Sequence, residues 1–169
     1  MDANHRIPID TAHAILATFG ITKPTRAYER YVKSDGFEVN DFSEVLFESP
    51  FIINVDWRGW LQEELETIAT ALETLGQSLS VNLDEDGNQG SVEANGRKAM
   101  VKYVPNDEDD FDAVVKAVRT VISPSIEFRE SPGNRGSDSW TYAVLPKDEW
   151  AELQNVAGPV LSYFFVPMV

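Results

Sequence analysis

One apolar stretch, which changes its period partway along, constrains the fold more than any other part of the sequence. Within residues 50–76, a short run rich in β-branched residues at 51–55 precedes apolar residues at steps of three and four. The first pattern is typical of a buried strand and the second of one helix face. Asp56 stands where a helix N-cap is expected, and Gly76 where a left-handed residue ends a helix. The predicted inward face of this helix is Trp57, Trp60, Leu61, Leu65, Ile68, Leu72 and Leu75.

After Gly76 the apolar period falls from about 3.6 to 2, which indicates strands. Three alternating segments, residues 78–83, 91–94 and 97–104, are separated by turn sequences, and the turn Asn95-Gly96 is a strong hairpin signal. These segments predict a three-stranded antiparallel meander. Further on, the pattern predicts a helix from Asn106, strands at 125–130 and 140–145, a short helix at 146–153 and a last strand at 160–166.

The N-terminal third is less regular. Residues 1–33 predict a helical, partly peripheral segment, whereas residues 36–49 mix strand-like and helix-like spacing and leave both assignments open. The 169 residues fit one domain. The order of elements lacks the strand-helix alternation of a parallel sheet, so we expect an α+β fold: a mainly antiparallel sheet with helices packed on one face.

Charge is the outlying property of the composition. The chain has 28 acidic and 14 basic residues and a net charge of −14. Such a charge opposes direct binding to nucleic acid or to an anionic membrane and favours a cationic partner, although acidity for solubility alone explains it equally well. The chain has no cysteine, no apolar run long enough for a membrane span and no leader-like N-terminus, so we expect a cytoplasmic protein.

The sequence offers no recognisable catalytic, metal or cofactor motif. It has two histidines, both near the N-terminus, and lacks a Gly-x-Ser-x-Gly elbow and a phosphate-binding loop. Residues 84–88 begin like a calcium loop, but Gln89 stands where that loop needs glycine and Asn95 where it needs glutamate. We therefore expect no cofactor, no metal and no enzymatic activity.

The remaining candidates for function are acidic side chains at a surface. They fall on one helix, on the first turn of the meander and at the start of the helix after it. We predict that a basic protein partner binds some or all of these residues, through charge-assisted hydrogen bonds. The candidate partner-binding residues are Glu63, Glu64, Glu66, Glu73, Asp84, Glu85, Asp86, Asp107, Glu108, Asp109 and Asp110.

In its size, acidity, α+β pattern, lack of catalytic motifs and C-terminal strand-then-helix segment DSWTYAVLPKDEWAEL, the chain resembles bacterial immunity proteins. These proteins neutralise toxins of contact-dependent inhibition or type VI secretion. The resemblance implies a stoichiometric inhibitor that covers or distorts the active site of a cognate toxin, often a nuclease. Two alternatives stay open: an intracellular regulatory or adaptor domain that binds a protein through the loop 131–139, and a hydrolase that uses two dispersed carboxylates.

Overall fold

The computed structural model describes residues 6–22, 24–56, 59–102, 111–134 and 139–168. Over these residues the chain forms six helices and three antiparallel sheets, which confirms the α+β class. The helices are α1 (Ile9–Thr18), α2 (Arg26–Tyr31), α3 (Val39–Leu46), α4 (Leu61–Thr74), α5 (Phe111–Val121) and α6 (Lys147–Phe164). The strands are β1 (Arg6–Ile7), β2 (Phe37–Glu38), β3 (Ile52–Asp56), β4 (Ser80–Leu83), β5 (Gln89–Ala94), β6 (Arg97–Lys102), β7 (Ile126–Glu130), β8 (Ser139–Pro146) and β9 (Val166–Pro167).

A four-stranded sheet in the order β3-β8-β7-β9 separates two apolar clusters. Successive side chains of a strand point to opposite faces, so the neighbours Ile52 and Ile53 enter different clusters. The Ile52 side packs against α1, α3 and α6, and the Ile53 side against α4, α5 and the second sheet. Helices therefore cover both faces of this sheet. The predicted arrangement, with helices on one face, describes the three-stranded sheet only.

That three-stranded sheet is the predicted meander, in the order β4-β5-β6. Asn95 and Gly96 both adopt positive φ, 51° and 71°, as a tight hairpin turn between β5 and β6 requires. Val92, Ala94 and Val101 point inward, whereas Met100 on the other face is exposed. The period-2 prediction is thus confirmed over the described residues; positions 103 and 104 lie outside them.

The C-terminal prediction is wrong. Of residues 160–166 only Val166 lies in a strand, the short β9, because α6 continues to Phe164 through a kink at Ala157 (φ −142°, ψ 22°). Pro159 stands just after this kink, near the start of the second helical part, where a missing N–H costs little. Val160, Leu161 and Phe164 are buried at helical spacing. The apolar run therefore has a helical period despite its β-branched and aromatic composition.

The structure also answers the open assignment of residues 36–49. The short strand β2 is followed directly by α3, so both patterns are present in succession. In the N-terminal segment, α1 contributes buried residues to the core, whereas α2 has none. None of the helices in the described part of the chain combines the length and apolar character that a membrane crossing requires.

Candidate functional site

The first turns of α4 and the end of β4 enclose a groove of about 710 Å³, hereafter the acidic groove. Glu63 and Glu66 lie three residues apart on α4 and therefore on one face of the helix. The turn after β4 supplies the other wall. The residues that line the groove are Trp60, Gln62, Glu63, Glu66, Val81, Leu83, Asp84, Glu85, Asp86 and Gly87.

Five of these side chains are carboxylates, and none of the described lining residues is Lys or Arg. Two of the three predicted acidic groups, which lie about twenty positions apart in sequence, thus meet at one site. Glu66 is oriented by Gln62, whose Nε2 donates a hydrogen bond to Glu66 Oε1 at 2.8 Å. Like charges that line one groove produce a negative potential there, so the groove attracts cations.

The turn between β4 and β5 is held by its own hydrogen bonds. The Asn88 N–H donates to Asp84 Oδ1 (3.2 Å), and the Gly87 N–H donates to the Asp84 carbonyl (3.0 Å). Gly87 has a φ of 70°, which glycine adopts without strain. These contacts place Glu85 and Asp86 at the exposed tip of the turn. The wall of the groove is therefore a defined turn with two outward carboxylates.

Trp60 lies at the rim of the groove with 59% of its surface exposed. The sequence predicted it on the inward face of the helix, and that prediction is wrong. Helix α4 begins at Leu61, so Trp60 is the N-cap residue, with extended backbone, and does not follow the helical period. Asp56, the predicted N-cap, lies instead in β3. An exposed tryptophan beside carboxylates provides both apolar contact area and a face for cations.

Glu64 was predicted among the surface acids, but it is only 7% exposed. It follows Leu61 by three residues and precedes Ile68 by four, so it lies on the buried stripe of α4. Its Oε1 accepts a hydrogen bond from the Asp56 N–H at 3.0 Å, which ties α4 to the end of β3. Burial raises the pKa of Glu64 to about 7, opposed by this hydrogen bond and aided by the charges of Asp56 and Glu63.

The other predicted residues are placed differently. Glu73 is exposed on the last turn of α4 and does not line the groove. The acids Asp107, Glu108, Asp109 and Asp110 lie outside the described residues, as do positions 135–138 of the loop 131–139. Before that gap, buried Asn134 fixes the loop to β8, because its amide pairs with the Thr141 N–H (2.8 Å) and carbonyl (3.0 Å).

Metal binding has no support from the geometry of the described residues. Among them, no three His, Cys, Asp or Glu side chains are arranged to hold a metal ion. The carboxylates of the acidic groove come from two elements, α4 and the turn after β4.

Comparisons with known proteins found no counterpart for this chain. No protein-family model matches it, and neither a curated protein sequence nor a solved structure is significantly similar to it.

Proposed function

We propose that the chain is a non-catalytic inhibitor that neutralises a basic protein toxin by binding it stoichiometrically through the acidic groove. The observation that carries the proposal is the convergence of five carboxylates and an exposed tryptophan on one groove. The inhibitor role comes from the resemblance to immunity proteins. The basic character of the partner comes from charge complementarity.

The two kinds of side chain in the groove serve different parts of binding. The carboxylates steer a cationic surface toward the groove and accept hydrogen bonds from its Lys and Arg side chains. Trp60 supplies the desolvated aromatic contact that commonly dominates the binding free energy of an interface. A partner of this chemistry presents a basic patch, such as the substrate cleft of a nuclease, with one side chain that stacks on the Trp60 ring.

The experiment is capture of the partner from lysate of the source cells on the tagged chain, in parallel with the charge-reversed variants Glu66→Lys and Glu73→Lys. Both substitutions replace an exposed acid of α4, but only Glu66 lines the groove. We expect one basic protein to bind the parent chain and Glu73→Lys in a 1:1 ratio and to be lost from Glu66→Lys.

Titration of the purified partner with the chain then tests inhibition directly. The partner's own activity should fall to zero at a 1:1 molar ratio of chain to partner. The affinity of the partner for the chain should weaken as the salt concentration rises. A partner whose activity is unaffected and whose binding is independent of salt would favour the regulatory or adaptor function instead.

A further inference from the structure

A second groove, lined mainly by bases among its charged residues, lies between the end of α5, strand β7 and the start of α6. It has a volume of about 590 Å³ and is lined by Arg119 of α5, Arg129 of β7 and Lys147 at the start of α6. Ser123 also lines it and fixes its position, because the Ser123 N–H donates to the side chain of Gln77, just after α4 (3.1 Å). We call this site the basic groove.

Arg129 is held rigidly within the basic groove. Its Nε donates to Glu127 Oε1 at 2.8 Å, and its guanidinium carbon lies 4.4 Å from the centre of the Trp150 ring. Trp150 is itself fully buried, and its Nε1 donates to the Glu127 carbonyl at 2.9 Å. Among the described lining residues Glu127 is the single acidic one, and its charge is offset by that of Arg129.

Among the residues that the structure describes, Arg119 and Lys147 have no such partner. Neither forms an ion pair or a side-chain hydrogen bond within the part of the chain that the structure describes. Arg119 stands near the end of α5, where a base can cap the last carbonyls, but Arg97 Nη2 already donates to the Ile122 carbonyl there (2.6 Å). In a chain with twice as many acids as bases, two cations that have no partner among the described residues therefore line one groove.

We propose that the basic groove binds a small organic anion whose carboxylate or phosphate group lies between Arg119 and Lys147. The apolar part of such a ligand would rest on Ile126 and Met168, which line the same groove. The volume is in the range of small-molecule pockets, roughly 300–1,000 Å³. The site is independent of the acidic groove and of the partner proposed above.

The test is calorimetric titration of the full chain with two probes, inorganic pyrophosphate and citrate, at low ionic strength. We expect saturable 1:1 binding of at least one probe. Binding of pyrophosphate alone assigns a phosphate ligand, and binding of citrate alone assigns a carboxylate ligand. Arg119→Gln and Lys147→Gln should each lower the affinity for the probe that binds about tenfold, since each removes a charge-assisted hydrogen bond.

The matched control is Lys102→Gln, which changes the net charge equally at an exposed base of β6 that does not line the groove. Its affinity for the probe should stay within about twofold of the parent, because exposed charges at a distance are screened. The proposal is overturned if neither probe saturates the chain, or if Lys102→Gln weakens binding as much as Arg119→Gln does.

Discussion

Replacing Glu64 with glutamine should remove a pH-dependent loss of stability from the chain. The native pKa of Glu64 is about 7, against 4.5 for an ordinary glutamate. Well below pH 4.5, the carboxyl is largely protonated in both the folded and the unfolded chain. Between pH 4.5 and 7, the unfolded chain releases this proton while the folded chain keeps it, so the free energy of unfolding falls as pH rises.

The size of this effect follows from the pKa difference. Each pKa unit corresponds to about 1.4 kcal/mol, so the rise from 4.5 to about 7 costs the parent chain roughly 3 kcal/mol at pH 8. Glutamine keeps the shape and the acceptor for the Asp56 N–H but cannot ionise. Glu64→Gln should therefore gain stability relative to the parent as pH rises, by roughly 2–3 kcal/mol between pH 5 and pH 8.

Urea denaturation of both proteins at pH 5, 6, 7 and 8 measures this difference. The control is Glu73→Gln on the same helix, which removes an exposed carboxylate that is not among the charges acting on Glu64. Its stability relative to the parent should vary little with pH. A difference between Glu64→Gln and the parent that is the same at all four pH values would refute the reasoning.

Two other substitutions separate binding from stability. Trp60→Ala should weaken the affinity for the basic partner at least about tenfold. It should change the free energy of unfolding by less than about 0.5 kcal/mol, because 59% of the side chain is exposed. Calorimetry measures the affinity and urea denaturation the stability, and an unchanged affinity would exclude Trp60 as an anchor. Gly90→Ala should destabilise the chain by roughly 2–4 kcal/mol, because a Cβ at Gly90 would overlap the Asn82 carbonyl oxygen on β4; an unchanged denaturation midpoint would contradict this close approach.

Local patterns in the sequence predicted much of the fold. The meander follows from period-2 alternation and from Asn95-Gly96, both of which are local properties. The second part of α6 was missed because Gly158 and Pro159 were interpreted as a break, whereas the helix resumes after a kink at Ala157. The spacing of Val160, Leu161 and Phe164 contained the helical signal.

The acidic groove was predictable only in part. The sequence identified its acids but not that Glu63 and Glu66 line the same groove as Asp84, because this depends on how α4 packs against β4. Trp60 was misplaced because the helix was predicted to begin too early, at Asp56. Glu64 was misplaced although its position between Leu61 and Ile68 puts it on the buried face.

The most direct test of the acidic groove is the affinity of the purified partner for Glu66→Lys compared with Glu73→Lys. Both variants change the net charge of the chain by the same amount and carry the change on exposed positions of α4. If the groove is the binding site, Glu66→Lys should raise the dissociation constant at least about tenfold, while Glu73→Lys stays within about threefold of the parent. Equal losses in the two variants, or no loss in either, would contradict the proposal that the groove binds the partner.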